Sequence, residues 1–156
     1  MLILASPLTE IDQPEAHSAG ASTLRIEADV HHLATVRQFI REQARKAGAD
    51  ERAMSDLVQA VDESVSNSIV HGYRGAPGTV EIEAARDGSS LVVRLRDQAP
   101  PFDPTRVPIP DTSRPLHQQR LGGLGVLLTR ELTDSMTYRY TNRTNELTLT
   151  KKLRSA

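Results

Sequence analysis

Cysteine and tryptophan are absent from this 156-residue chain, which carries only two Phe and three Tyr. The missing cysteine excludes disulfides and thiolate metal centres. It fits a reducing compartment, so a cytoplasmic location is expected. The scarcity of aromatic rings leaves few platforms on which bases could stack. Neither charge sign dominates: 19 Lys+Arg nearly cancel 20 Asp+Glu, for a formal net charge of -1. Without a broad basic field, direct binding of nucleic acid is not expected. No apolar run approaches the ~20 residues of a membrane span, so no membrane partner is expected either. Met1-Leu-Ile-Leu-Ala5 is apolar, but it is too short and lacks the basic leader of a signal peptide.

The length suggests one domain, able to bury roughly 68–70% of its unfolded surface without covalent staples. Residues 1–21 are rich in Pro, Ser, Ala and acids and read as a flexible tail. Residues 22–156 form the expected domain. Polarity alternates over residues 22–28, which predicts a strand. Asp29 can cap a helix over residues 30–47, with Leu33, Val36, Phe39, Ile40 and Ala44 on one face and Gly48 at its end. Asp50 can cap a second helix, whose stripe of Met54, Leu57, Val58, Val61, Val65 and Ile69 runs until Gly72 stops it near His71. Alternation over 79–86 and 90–97 around Asp87-Gly88 predicts a hairpin. Residues 98–121 hold six of the nine prolines and no periodicity, as lids and binding loops often do. A third helix is expected from Gly123 to about Thr133, then a second hairpin of 136–141 and 145–153 across Asn142-Arg-Thr-Asn145. The order strand, helix, helix, hairpin, lid, helix, hairpin predicts an α+β fold. It would be a two-layer sandwich, with a mixed, mostly antiparallel sheet covered on one face by about three helices.

Three segments stand out chemically. Glu63 and Asn67 lie one turn apart, opposite the apolar stripe and adjacent to His71. Taken alone they suit an ordinary solvated face. They also suit a carboxylate that takes a proton beside an amide oxygen that binds Mg²⁺. Asp97 ends an alternating run; it can cap a turn, or accept a hydrogen bond from an exocyclic amine such as that of adenine. Gly122-Gly123-Leu124-Gly125 opens the third helix, where it can be a simple hinge. Glycines there can also bring the backbone and the positive end of the helix dipole against phosphates. Neither Gly-Lys-Ser/Thr nor G-x-G-x-x-G is present, so this is no Walker A loop or dinucleotide fingerprint.

In order and spacing these segments resemble the GHKL ATPase superfamily, and within it the anti-sigma factor serine-protein kinases of partner-switching systems. Glu63-Ser-Val-Ser-Asn67-Ser-Ile-Val-His71-Gly72 is similar to the N box. Asp97-Gln-Ala-Pro-Pro-Phe-Asp-Pro104 is similar to the first glycine box, and Arg120-Leu-Gly-Gly-Leu-Gly125 to the second. The resemblance implies a GHKL (Bergerat) fold and the cofactors ATP and Mg²⁺. It implies Glu63 as general base and Asn67 as the Mg²⁺ ligand. Asp97 and Ala99 would line the base, while Arg120, Gly122, Gly123, Leu124 and Gly125 would meet the phosphates; Thr148 would belong to the closing box. Residues 100–121 would be the ATP lid. The implied activity is phosphorylation of a serine on a STAS-type anti-anti-sigma protein, with sequestration of a sigma factor or equivalent regulator and a homodimeric assembly. The sequence departs from the family in two places that matter: Asn145 and Thr148 are only approximate counterparts of the closing box's Gly-Thr pair, and Ala99 and Pro101 stand where the first box has glycines. The altered first box keeps a second reading open, a partner-binding switch whose nucleotide site is degenerate. A third is an ATP-binding module that phosphorylates a histidine in trans.

Overall fold

The computed structural model describes residues 20–108, 113 and 123–155. The expected tail, apart from its last two residues, and most of the expected lid lie outside the described residues. Strand β1 (Ser22–Glu27) leads through a 3₁₀ turn, Val30–His32, into helix α1 (Leu33–Ala47) and then helix α2 (Glu51–Asn67). The hairpin of β2 (Thr79–Asp87) and β3 (Ser90–Asp97) follows. Helix α3 (Gly123–Leu132) then leads to the hairpin of β4 (Ser135–Thr141) and β5 (Thr144–Lys152).

Local chemistry sets most of these boundaries. Asp29 accepts the His31 N–H at 2.9 Å, so it caps the 3₁₀ turn rather than α1 itself. Asp50 caps α2 through the Ala53 N–H at 2.7 Å. Gly48, at φ 84°, closes α1 in the left-handed conformation that glycine adopts without a Cβ penalty. The β4–β5 turn is shorter than the sequence suggests. It consists of Asn142 and Arg143, both at positive φ, and Thr144 and Asn145 belong to β5. That is the two-residue turn matching the twist of a hairpin.

The sheet order is β1-β2-β3-β5-β4. Every pairing is antiparallel, which corrects the mixed sheet expected from sequence. One sheet face contributes Val80, Ile82, Val93 and Leu149 to a core shared with Val36 and Ile40 of α1 and Leu57, Val61 and Val65 of α2. The other face carries a row of alternating sign across all five strands: Arg25, Glu81, Arg96, Glu146 and Arg139. Arg96 donates to Glu146 at 2.7 Å, Glu81 at 3.0 Å and Glu83 at 3.2 Å. Arg139 reaches Glu146 at 2.9 Å. Burial opposes ionisation of Glu146, but the Arg96 and Arg139 guanidiniums outweigh it and hold the carboxyl below its ordinary range.

Candidate functional site

The C-terminal end of α2 does not stop at Gly72. Past Asn67 the chain continues as a wide π turn over Ser68–Tyr73, and Arg74, at φ 51°, takes the left-handed position. Gly72 serves close packing instead: a Cβ there would sit 3.0 Å from the Ala99 Cβ. Tyr73 pins the turn. Its hydroxyl donates to the Thr79 carbonyl at 2.7 Å and accepts the Gln98 N–H at 2.8 Å. Burial pushes the phenol pKa up, the Gln98 bond works against that rise, and the nearby Asp97 charge adds to it. Turns of this type recur at functional sites because they re-aim the last helical side chains. Here the turn delivers Ser68 to the end of β3.

Asp97 is buried at that strand end. Its Oδ2 accepts the Ser68 hydroxyl at 2.7 Å. Its Oδ1 accepts the Ala99 N–H at 3.0 Å and the Asn145 amide at 2.9 Å. A carboxylate offers about four acceptor positions, so among the described residues one remains open, on Oδ2. Ala99 is buried beside it, packed against Gly72.

On the other side of the π turn, α3 packs against α2. Gly123 and Gly125 lie in the first turn of α3, and Leu124 between them is exposed. A Cβ on Gly125 would lie 2.7 Å from Glu63 Oε2 and 3.6 Å from Asn67 Nδ2. Glu63 and Asn67 are therefore half-buried under a helix start, and the solvated-face alternative does not hold for them. His71 stays exposed. Among the described residues no group of three or more His, Cys, Asp or Glu could cage a metal ion. A lone amide oxygen from Asn67 fits Mg²⁺ only as a shared ion, with phosphate oxygens and waters completing its shell.

Two assignments change. Thr148 does not join the cluster. It pairs with Arg94 and lies on the outer sheet face, the opposite parity from Leu147 and Leu149, which pack toward the helices. Asn145, three residues earlier, stands across from Asp97 and is the residue that closes the site. Sequence reading placed Asn145 at the edge of a four-residue crossing. Its place opposite Asp97 is set by the β3–β5 pairing, which joins residues distant in sequence. Arg120 and Gly122 lie outside the described residues.

A model of the histidine kinase-like ATPase domain family matches residues 26–151 of this chain. The serine-protein kinase RsbW of Listeria monocytogenes is 30% identical over 123 residues, 76% of this chain and 78% of that protein. The anti-sigma F factor of Clostridium kluyveri is 43% identical over a shorter stretch of 44 residues, 28% of this chain and 31% of that one. Among solved structures, the RsbU and RsbW domains of Rv1364c from Mycobacterium tuberculosis match with a TM-score of 0.59 at 23% identity. That match covers 85% of this chain and 32% of the solved chain, and shows a shared fold.

Proposed function

This chain belongs to the histidine kinase-like ATPase domain family, in its branch of anti-sigma factor serine-protein kinases, and we propose that it is itself an ATP-dependent serine kinase of a partner-switching system. Its substrate is a serine on a STAS-type anti-anti-sigma protein, and it sequesters a sigma factor or equivalent regulator. It works in the cytoplasm as a homodimer. The observation that carries this reading is the seating of Gly125 on Glu63 and Asn67, at 2.7 and 3.6 Å from a built Cβ. That contact joins an acid, an amide and a helix start into one site.

Phosphoryl transfer asks the protein mainly to position groups and neutralise charge. Glu63 accepts the proton of the attacking serine hydroxyl. Asp97 accepts the exocyclic amine of adenine on Oδ2, with Ala99 bordering the ring. The backbone of Gly123, Leu124 and Gly125, with Gly122 before it, meets the phosphates at the positive end of α3, and Arg120 reaches the γ-phosphate. Asn67 would hold Mg²⁺, which when bound neutralises phosphate charge.

The test is phosphoryl transfer from Mg-ATP to a STAS-type protein, with an acid-stable phosphoserine as product. Glu63→Gln should slow transfer about 10²–10⁴-fold, the usual weight of a general base. Transfer at the wild-type rate would remove Glu63 from that role, and an acid-labile product would point to histidine phosphorylation. The altered first box, Ala99-Pro100-Pro101, supports a second reading, a partner-binding switch without turnover. Partner binding without nucleotide binding, measured by calorimetry, would favour it.

A further inference from the structure

We propose that Asn145 sets the base selectivity of the site by closing one oxygen of Asp97. The proposal rests on Asp97 being the base-binding acid.

Asn145 is buried, and its amide is used at both ends. Nδ2 donates to Asp97 Oδ1 and to the Ala99 carbonyl, both at 2.9 Å, and approaches the Pro100 carbonyl at 3.4 Å. Oδ1 accepts the Phe102 N–H at 3.3 Å and the Tyr138 hydroxyl. Three acceptors around the nitrogen and two donors at the oxygen leave only one orientation of the amide satisfiable. One side chain thus holds the segment from Ala99 to Phe102 in place, where the altered box has two prolines and no glycine.

The consequence for Asp97 is asymmetric. Among the described residues, Ala99 and Asn145 fill both acceptor positions of Oδ1, whereas Ser68 fills one of Oδ2. A purine that offers a single amine finds its partner on Oδ2. Guanine offers two neighbouring donors, N1–H and the 2-amino group, and binds a carboxylate through both oxygens. Against Asp97 it meets a closed Oδ1, and one donor stays buried and unpaired. The clasp therefore selects adenine by exclusion, a repulsive element added to an attractive one. Asn145 touches no reacting atom; it is a positioning residue that acts through Asp97.

Calorimetry with Mg-ATP and Mg-GTP on the full chain tests this. An unpaired buried donor predicts that wild type binds ATP at least about tenfold tighter than GTP. Asn145→Ala reopens Oδ1 and should narrow that ratio at least about fivefold, by improving GTP relative to ATP. Tyr138→Phe keeps the Nδ2 bonds, and the ratio should stay within about twofold of wild type even where the melting temperature falls. A purely structural role for Asn145 would weaken both nucleotides together and leave the ratio alone, which overturns the proposal. If Asn145→Ala does not fold, Ser68→Ala replaces it. That variant frees only the already open oxygen, so the ratio should hold, and its collapse overturns the proposal. Equal binding of ATP and GTP by wild type does so without any variant. Binding of neither nucleotide removes Asp97 from base recognition and the Asn145 role with it. ATP binding with a ratio indifferent to Asn145 removes the Asn145 role alone.

Discussion

Gly125→Ala should separate catalysis from folding in a single methyl group. The added Cβ would stand 2.7 Å from Glu63 Oε2, closer than real Cβ atoms approach an oxygen. Asn67 Nδ2 at 3.6 Å and Glu63 Cδ at 3.8 Å are ordinary contacts, so the strain falls on one carboxylate oxygen. That oxygen is the far end of a flexible side chain, and a rotation of Glu63 relieves the overlap at little cost in stability. Meanwhile Gly125 sits in α3 without a positive φ, and alanine is favoured over glycine inside a helix by about 0.8–1.0 kcal/mol. The Thr129 hydroxyl donates to the Gly125 carbonyl at 2.9 Å, a bond that uses only the backbone of residue 125 and survives.

The balance predicts a fold that is no weaker, with a melting temperature unchanged or raised by about 2–4 °C. The carboxylate, however, must retreat by several tenths of an ångström or leave its rotamer. A misplacement near 1 Å costs a positioned catalytic group about 10²-fold. Phosphoryl transfer to the STAS-type substrate should therefore fall about 10–100-fold, while calorimetric affinity for Mg-ATP changes far less. Transfer at the wild-type rate in a normally folded Gly125→Ala protein would refute the placement of Glu63 at the reacting centre. A fall in stability matching the fall in rate would refute the claim that the methyl group acts on Glu63 rather than on the core.

Three further changes test the scaffold. Gly78→Ala would put a Cβ 2.1–2.7 Å from the Tyr73 ring, which is buried and hydrogen-bonded at its hydroxyl. The ring cannot swing away as Glu63 can, so urea unfolding should show a loss of about 1–3 kcal/mol, typical of overpacking. Arg143 sits at φ 58° in the β4–β5 turn, and Arg143→Gly should gain about 0.5–1 kcal/mol in the same assay by relieving left-handed strain. Despite burial, the Arg96 and Arg139 guanidiniums hold the Glu146 carboxyl below its ordinary value in the folded chain. Its contribution to stability is thus complete above that value and is lost as pH falls through the folded pKa. Thermal melts through the acid range should show a shallower decline for Glu146→Gln than for wild type; parallel curves would remove the Arg96–Glu146–Arg139 cluster from acid stability.

The secondary structure was legible because its signals are local. Asp50, Gly48 and the stripe from Leu57 to Ile69 each act within a few residues, and each holds in the fold. The hidden parts depend on register. Thr148 and Asn145 differ by three positions on β5, and parity places them on opposite sheet faces. Which β5 residue stands across from Asp97 depends on the β3–β5 pairing, and Asp97 and Asn145 are 48 positions apart in the chain, beyond any local signal. Gly72 misled for a related reason. A glycine after a helix usually marks its end, whereas this one is required by Ala99, which is distant in sequence. The Glu63–Asn67 pair was legible as a pattern, but its burial was not, because the helix start that covers it arrives about 60 residues later in the chain.

The altered first box has a physical logic in these contacts. Glycines at a loop exit confer freedom, and freedom must be frozen out when a ligand binds. Replacing them with Ala99 and Pro101 removes that cost in advance, but it also fixes the loop wherever its anchors put it. Anchoring then becomes indispensable, and it comes from three elements at once. Gly72 gives way to Ala99, Tyr73 holds Gln98, and Asn145 holds Ala99, Pro100 and Phe102. All three converge on Asp97, through the chain itself and through the Asn145 amide. A preorganised segment of this kind trades tolerance for selectivity. With Asp97 as the proposed base-binding acid, it would accept the one ligand geometry its open oxygen permits, where a glycine-rich loop could adjust to several.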